Sequence, residues 1–139
     1  MAPEINNWAV ALATVSAMVI GFLWYGPIFG KTWAGLVGID FNQKPPTSKM
    51  VRSILLNALG ALFMAYVLDH GIIFGNAYLN MEGAMSGVQG AFWYWLGFIA
   101  PVTLGVVLWE NKPWKLWFIN AGYYLVVLCT MGAILASWM

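Results

Sequence analysis

The sequence predicts an all-α, polytopic membrane protein: a four-transmembrane-helix bundle with both ends of the chain on the outer, non-cytoplasmic side. Three observations predict it. Of 139 residues, 62% are hydrophobic and only 8% are charged, whereas a soluble domain carries roughly a quarter charged residues. The charged residues leave four charge-free stretches along the chain. All six Lys and Arg residues fall into just two of the connections between those stretches.

The four charge-free stretches cover residues 5–30, 53–68, 83–109 and 116–139. Three of them reach the roughly 20 residues that cross about 30 Å of hydrocarbon as a helix. The second stretch is shorter and is therefore the weakest predicted span. It can cross the membrane only if the Arg52 side chain extends to the membrane surface or if Asp69 lies below that surface. We expect one domain, residues 1–139, with helices at about 5–28, 50–70, 86–109 and 115–137 and a cytoplasmic loop at 29–49.

The orientation follows from the basic residues. Four of them lie between the first and second predicted helices and two between the third and fourth, namely Lys31, Lys44, Lys49, Arg52, Lys112 and Lys115. Because Lys and Arg are enriched in cytoplasmic connections, we expect N-out/C-out topology in a bacterial cytoplasmic membrane. The first helix is expected to stay in the mature protein, since Met1–Glu4 has no Lys or Arg for a signal peptide.

Aromatic and basic side chains indicate where the helices meet the membrane surface, because Trp, Tyr and Lys favour the interface. The predicted cytoplasmic anchors are Trp24, Lys31, Trp33, Trp114 and Lys115. The run Phe92–Trp95 leaves two alternatives. Either it marks the outer interface and residues 72–91 form an interfacial segment, or those residues belong partly to the third helix.

Small residues predict how the helices pack, because close backbone approach carries helix association in lipid. Ala9, Ala13, Ala17 and Gly21 recur every four residues and therefore share one helix face. That face is predicted to contact another helix, of the same subunit or of a neighbour. A similar series at Gly83, Gly87 and Ala91 is as well explained by the high Gly and Ala content. Pro101 is expected to bend the third helix.

Polar residues inside the predicted spans are the candidate functional residues, because such groups are costly in hydrocarbon. Asn57 lies five residues, about 7 Å, beyond Arg52, and Asn120 lies five residues beyond Lys115. Tyr25 and Glu110 complete the same cytoplasmic layer from the other two helices. The layer Tyr25, Asn57, Glu110 and Asn120 is therefore a candidate site, although the two amides also fit a simple hydrogen bond across the bundle.

Asp69 and His70 form a second polar group, near the outer end of the second helix. We expect the pair to end that helix in the headgroup region, before Gly71. A proton or cation path along the face shared by Asn57 and Asp69 stays open as an alternative.

The sequence has no enzyme signature. It has one His and the lone Cys129, without metal-ligand spacing, a GxSxG elbow or a phosphate-binding glycine loop. We therefore expect no catalytic residue, no metal site and no cofactor. The net charge of +1 offers no basic field for nucleic acid.

Two segments carry a resemblance to a known family. They are Trp24-Tyr25-Gly26-Pro27-Ile28-Phe29-Gly30-Lys31, followed by Trp33, and Glu110-Asn111-Lys112-Pro113-Trp114-Lys115, followed by Asn120, Gly122 and Tyr123. Over nearly the whole chain the sequence resembles the membrane family of domain of unknown function 1761. The resemblance implies four helices and no stated activity.

The functional expectation from the sequence is a small non-catalytic membrane protein that acts through association, as a homo-oligomer or as an accessory subunit of a larger membrane complex. Two alternatives remain. One is an oligomeric transporter or channel. Its solute would be small and uncharged, because the first helix lacks the acidic residue that small multidrug exporters use for proton coupling. The other is a lipid or pigment binder that uses the Trp and Tyr belts.

Overall fold

The computed structural model describes residues 4–139, which form helices and connections without a β-strand. Residues 1–3, part of the segment weighed as a signal-peptide n-region, lie outside the described residues. Four of the five helices are long and apolar enough to cross a membrane. The predicted all-α, four-span fold is thus confirmed, and the chain is an integral membrane protein. The five helices are α1 (Asn7–Ile28), α2 (Gly30–Val37), α3 (Thr47–Leu79), α4 (Ala84–Leu108) and α5 (Trp114–Ser137).

Helix α1 begins at a side-chain cap and ends in a widened turn. The Asn6 Oδ1 accepts hydrogen bonds from the backbone N–H groups of Trp8 and Ala9, at 3.1 and 3.3 Å. These bonds satisfy two donors that a first helical turn leaves free. The last residues, Trp24–Ile28, form a π turn that contains Pro27. Because proline has no backbone N–H, it cannot continue the regular α-helical ladder.

The first connection is shorter than the predicted loop at 29–49, because helix α2 occupies much of it. Helix α2 ends at Gly38, whose φ of 79° lies in the left-handed region that glycine adopts without a steric penalty. Besides Phe29, only residues 38–46 remain without helix. They include Pro45 and Pro46, the two prolines that halt the helical pattern.

Helix α3 is the longest element, with 33 residues from Thr47 to Leu79, about 50 Å at 1.5 Å per residue. The prediction that Asp69 and His70 end this helix is wrong. Asp69 lies inside the bundle at 2% exposure, and the helix runs on through the apolar residues that follow. It stops at Asn80, whose φ is 53°. The second span is therefore long enough to cross the membrane. The charge-free stretch ended at Asp69 only because this acidic residue is buried within the helix.

Helix α4 follows a turn of residues 80–83. Residues 72–91 are thus the end of α3, this turn and the start of α4, and they form no separate interfacial segment. The run Phe92–Trp95 lies within α4. A second π turn covers Trp95–Ile99, and the helix is interrupted once more at Leu104, three residues after Pro101. The bend predicted at this proline coincides with an irregular stretch of helix.

Helix α5 is the centre of the bundle. Ten of its residues are buried, against four in the α-helical part of α1, and it packs against all three other spans. Its crossing with α4 brings two backbones together: a methyl group on Gly87 would collide with the Gly132 carbonyl, and the reverse also holds. Ala91 and Ala136 flank this crossing. The series Gly83, Gly87 and Ala91 therefore marks a contact in its last two members, which composition alone could not separate from chance.

The small-residue face of α1 also meets helices of the same chain. Ala9, Ala13 and Ala17 are exposed by 1, 0 and 2%. A methyl group on Gly21 would lie 3.0 Å from the Tyr123 hydroxyl of α5. Helix α1 packs against α5 and α3, so the predicted face is used within the bundle.

Candidate functional site

The two ends of the bundle differ in charge. We call the end with residues 29–46 and 109–113 the basic end, because all six Lys and Arg residues lie in or beside these connections. The other end, with the turn at residues 80–83, we call the turn end. At the basic end, side chains of all four spans surround a cleft of about 680 Å³, the polar cleft. Its lining comprises Gly21, Tyr25, Trp33, Ser53, Ile54, Asn57, Thr103, Val106, Trp117, Asn120, Tyr123 and Tyr124.

Tyr25 and Asn120 are joined directly. The Tyr25 hydroxyl donates a hydrogen bond to the Asn120 Oδ1 at 2.7 Å. Tyr25 comes from the π turn of α1 and Asn120 from the first half of α5, so the bond ties two spans together across the floor of the cleft. The Tyr25 ring also packs edge-on against Tyr123, with centroids 5.1 Å apart, and against Trp33 at 5.4 Å. Packing on both sides fixes the direction of the Tyr25 hydroxyl.

Asn57 lines the same cleft but is held weakly. Its side chain is exposed, and its amide nitrogen lies 3.6 Å from the Met18 sulfur, a poor hydrogen-bond acceptor. No other side-chain hydrogen bond of Asn57 is formed within residues 4–139. The hydrogen bond across the bundle that the sequence allowed, from Asn57 to Asn120, is therefore absent from the described residues.

Glu110, the fourth residue of the predicted layer, does not join the cleft. Helix α4 ends at Leu108, so Glu110 lies in the connection to α5, where its side chain is exposed. The structure thus brings together Tyr25, Asn57 and Asn120 and leaves Glu110 outside. The sequence predicted that the third helix ends at residue 109, just before Glu110, but it could not show whether the Glu110 side chain turns toward the cleft or away from it.

Two tryptophans that the polar layer did not include hold Asn120 in place. The Trp24 indole N–H donates to the Ile119 carbonyl at 3.0 Å, and the Trp95 indole N–H donates to the Ala121 carbonyl at 2.7 Å. The two acceptors are the neighbours of Asn120 on either side. Each tryptophan opens one of the π turns, a feature often found at functional sites. The shared pattern Trp-x-Gly-x-Ile at 24–28 and 95–99 is the sequence signal that could have revealed the pair.

Trp117 closes the α4 side of the cleft. Its indole N–H lies 3.2 Å from the Ala100 carbonyl and 3.1 Å from the Thr103 Oγ1. The irregular stretch around Pro101 leaves this carbonyl available, since the Leu104 N–H bonds to Pro101 instead. The irregular stretch of α4 is therefore joined to α5 by hydrogen bonds.

The predicted membrane anchors divide into two groups. Lys31, Trp114 and Lys115 are exposed at the basic end, where an anchor at the membrane surface is expected. Trp24 and Trp33 are partly buried and pack on the chain itself, against Ile119 and Tyr25. These two tryptophans build the cleft region.

The chain matches the family described as "Protein of unknown function (DUF1761)" over residues 8–136. The chain belongs to this family. Comparison with curated proteins and with solved structures finds no match. The match to DUF1761 covers all four membrane spans except Asn7 and Ser137, and it includes every residue of the polar cleft. The two segments that carry the resemblance in the sequence contribute Tyr25, Trp33, Asn120 and Tyr123 to that cleft.

Proposed function

We propose that this member of DUF1761 is a non-catalytic membrane protein that binds a small uncharged polar molecule in the polar cleft. It would act as the binding component of a transporter or channel, assembled from copies of itself or with other membrane subunits. The observation that carries the proposal is the convergence of all four spans on a cleft of about 680 Å³, large enough for a small solute.

The lining of the cleft favours an uncharged molecule. Among residues 4–139, the side chains that line it are amides, hydroxyls, aromatic rings and aliphatic groups, with no acid and no base. A charged solute would lose its hydration there without meeting an opposite charge, which is costly in a low-dielectric site. A neutral molecule with hydrogen-bonding groups meets suitable partners.

Asn57 is the side chain best placed to take such a molecule. An exposed amide within a membrane span gains much from a hydrogen-bond partner, and the Met18 sulfur is a weak one. Asn120 supports it: Tyr25 occupies the Oδ1 of Asn120, which leaves the Nδ2 group as a donor toward the cleft. A ligand with one acceptor and one donor would satisfy both amides.

Solute flux into proteoliposomes tests the proposal. We expect the wild-type protein to raise the flux of at least one member of a panel of small uncharged solutes, such as glycerol, urea and acetamide. Asn57→Leu should reduce that flux several-fold. Gln89→Leu, which replaces another exposed amide of a span, is the matched control and should not change it. Flux equal to protein-free liposomes for the whole panel, with no small molecule co-purifying, would contradict the proposal.

We further propose that the basic end faces the cytoplasm of a bacterial cell. The asymmetry of the six basic residues supports this orientation. Single cysteines at Asn42, on the basic end, and at Met85, near the turn end, can report it in a Cys129→Ser background. In intact cells a membrane-impermeant maleimide should label the cysteine at position 85 and spare the one at position 42. The opposite pattern would reverse the topology.

Association through α3 is the second candidate function, and one observation favours it. Every residue from Thr47 to Asn57 is exposed, so the first third of α3 has a free surface that mixes leucines with Asn57. An amide among leucines on a membrane helix is a typical contact point for a second helix. Native mass spectrometry in mild detergent should then show an oligomer that Asn57→Leu weakens, whereas a monomer together with no crosslinked partner in cells would remove this candidate. A co-purifying lipid or pigment would instead favour the alternative that the protein binds such a molecule through its Trp and Tyr side chains.

A further inference from the structure

Asp69 is an acid inside a membrane span. All five acidic residues of the sequence lie in the described range, and only Asp69 sits within one of the four spans. It precedes the last residue of α3, Leu79, by ten positions, about 15 Å along the helix axis. Its side chain is 2% exposed. An ionisable residue at such a place is a candidate functional site.

Among residues 4–139 the one base next to this carboxyl is His70, the following residue of α3. The nearest Lys or Arg along α3 is Arg52, 17 residues or about 25 Å away. His70 forms no hydrogen bond with Asp69. Its Nδ1 lies 2.8 Å from the Tyr66 carbonyl oxygen, and its ring lines an apolar groove beside Tyr94. No hydrogen bond among the described side chains reaches the Asp69 carboxyl.

The helices packed around α3 supply no base near Asp69, because the one Lys among them, Lys115, lies at the basic end of α5. In the described range, α1 has no titratable residue before Tyr25, near its far end. The one titratable residue of helix α4 is Tyr94. In α5, Tyr123, Tyr124 and Cys129 are the titratable residues after Lys115, and none lies between Cys129 and the turn end. An ionised carboxylate would therefore be buried without a hydrogen-bond donor, with only the neighbouring His70 to offset its charge, a state that the interior of a bundle disfavours. In this conformation the carboxyl is expected to carry a proton.

A cavity at the turn end lies close to Asp69 along the helix axis. The cavity measures about 620 Å³, and Ile73, Asn76 and Asn80 line it. These residues follow Asp69 by four, seven and eleven positions, so all lie on its face of α3. The cavity thus begins one helical turn beyond Asp69, and its polar side chains, which include Glu82, suit water.

The small remaining exposure of Asp69 belongs to the carboxyl itself. Within residues 4–139, every buried side-chain oxygen or nitrogen that is sealed from solvent has a hydrogen-bond partner. The Asp69 oxygens have none, so they are not sealed. In the other direction Ala61 and Ala65, exposed by 7 and 0%, fill the same helix face and offer no polar group.

We infer that Asp69 is a proton-binding site served by the turn-end cavity. The carboxyl holds its proton in this conformation, and it exchanges that proton with water in the cavity, past Ile73. A carboxylate oxygen takes the proton from a hydronium ion or a water molecule on uptake and returns it to water on release. The site lies apart from the polar cleft and does not depend on a ligand there.

An apolar carbodiimide, dicyclohexylcarbodiimide, tests the protonation state of the purified full-length protein. The reagent adds to a protonated carboxyl: the proton goes to a carbodiimide nitrogen, the carboxyl oxygen bonds to its carbon, and nothing leaves. We expect one adduct on the peptide that contains Asp69, formed more slowly as the pH is raised. Glu82→Gln, which removes the acid at the cavity, should leave this adduct unchanged, and Asp69→Asn should abolish it.

The side of access is tested in proteoliposomes in which the pH of the two compartments is set separately. Orientation is scored with a cysteine at Met85, near the turn end, in the Cys129→Ser background. The rate of adduct formation should follow the pH on the turn-end side. Absence of an adduct on Asp69 in the folded wild type, or a rate that follows the pH at the basic end, would overturn the inference. The wild-type result decides even if Asp69→Asn fails to fold.

Discussion

The turn-end half of the bundle and its basic-end half are held together by different kinds of residue. Toward the turn end, glycines and alanines let backbones touch, as at Gly87 with Gly132 and along the alanines of α1. Toward the basic end, large aromatic rings and indole N–H groups join α1, α4 and α5, and α3 contributes only exposed residues before Ala58. In the turn-end half the helices pack in direct contact. In the basic-end half, aromatic side chains hold the helices apart around the polar cleft.

This difference shows how a small membrane protein can combine tight helix packing in one half with a binding cavity in the other. Small residues gain van der Waals contact at short range, which is what drives helix association in lipid. Aromatic side chains keep helices apart while hydrogen bonds fix their positions. If this division is correct, substitutions in the first half should act on stability, and substitutions in the second should act mainly on the cleft.

The largest effect is expected at the backbone crossing of α4 and α5. Gly87→Ala adds a methyl group where the Gly132 carbonyl stands, and backbone cannot move aside as a side chain can. We expect a loss of about 3 kcal/mol in unfolding free energy, measured by denaturant titration in mixed micelles. Gly60→Ala is the matched control, because a methyl group there meets nothing within 4 Å. Equal behaviour of the two variants would refute the tight crossing.

The small-residue face of α1 should respond next. Ala13 is fully buried, so Ala13→Leu would push α1 away from its neighbours and cost about 2 kcal/mol. Ala11, two residues away and exposed, provides the comparison: Ala11→Leu should be neutral within about 0.5 kcal/mol. If Ala13→Leu folded with full stability but dissociated an oligomer, the face would belong to a subunit interface and not to this bundle.

The sequence was sufficient for some features and insufficient for others. Fold class, four spans, the family resemblance and the depth of Tyr25, Asn57 and Asn120 follow from composition and residue counting, because these depend on length and polarity alone. The end of α3 did not follow, since Asp69 is charged in sequence yet buried in the fold. Partners such as Gly87 with Gly132 depend on how two helices cross, which no periodicity within one helix contains.

The cleft illustrates the same limit. Glu110 follows the third predicted helix, at 86–109, and its position near the basic end suggested that it belongs to the polar layer, but its side chain is exposed in the connection after Leu108. The predicted layer omits Trp24, because tryptophan usually favours the membrane surface, and Trp95, because the run Phe92–Trp95 had two possible placements. A tryptophan near the surface can serve lipid or protein, and its hydrogen-bond partner decides which.

A smaller effect is expected for the bond between Tyr25 and Asn120. Tyr25→Phe removes the hydroxyl but keeps the ring between Trp33 and Tyr123, so only the 2.7 Å hydrogen bond is lost. We expect a loss of about 1 kcal/mol. A double-mutant cycle with Asn120→Ala should recover most of that value as coupling energy. Additive losses in the cycle would show that the two side chains do not depend on each other.

The smallest effect on stability is expected at Asn57, on the loosely packed part of α3. Among the described side chains its amide is paired only with the Met18 sulfur, a weak acceptor, so Asn57→Leu should change the unfolding free energy by no more than about 0.5 kcal/mol. The same substitution is expected to give the clearest loss of solute flux. A variant that keeps its stability and loses flux would separate the binding half of the bundle from the half that holds it together. A large loss of stability at Asn57 would show instead that the first part of α3 is packed against the protein as firmly as the rest.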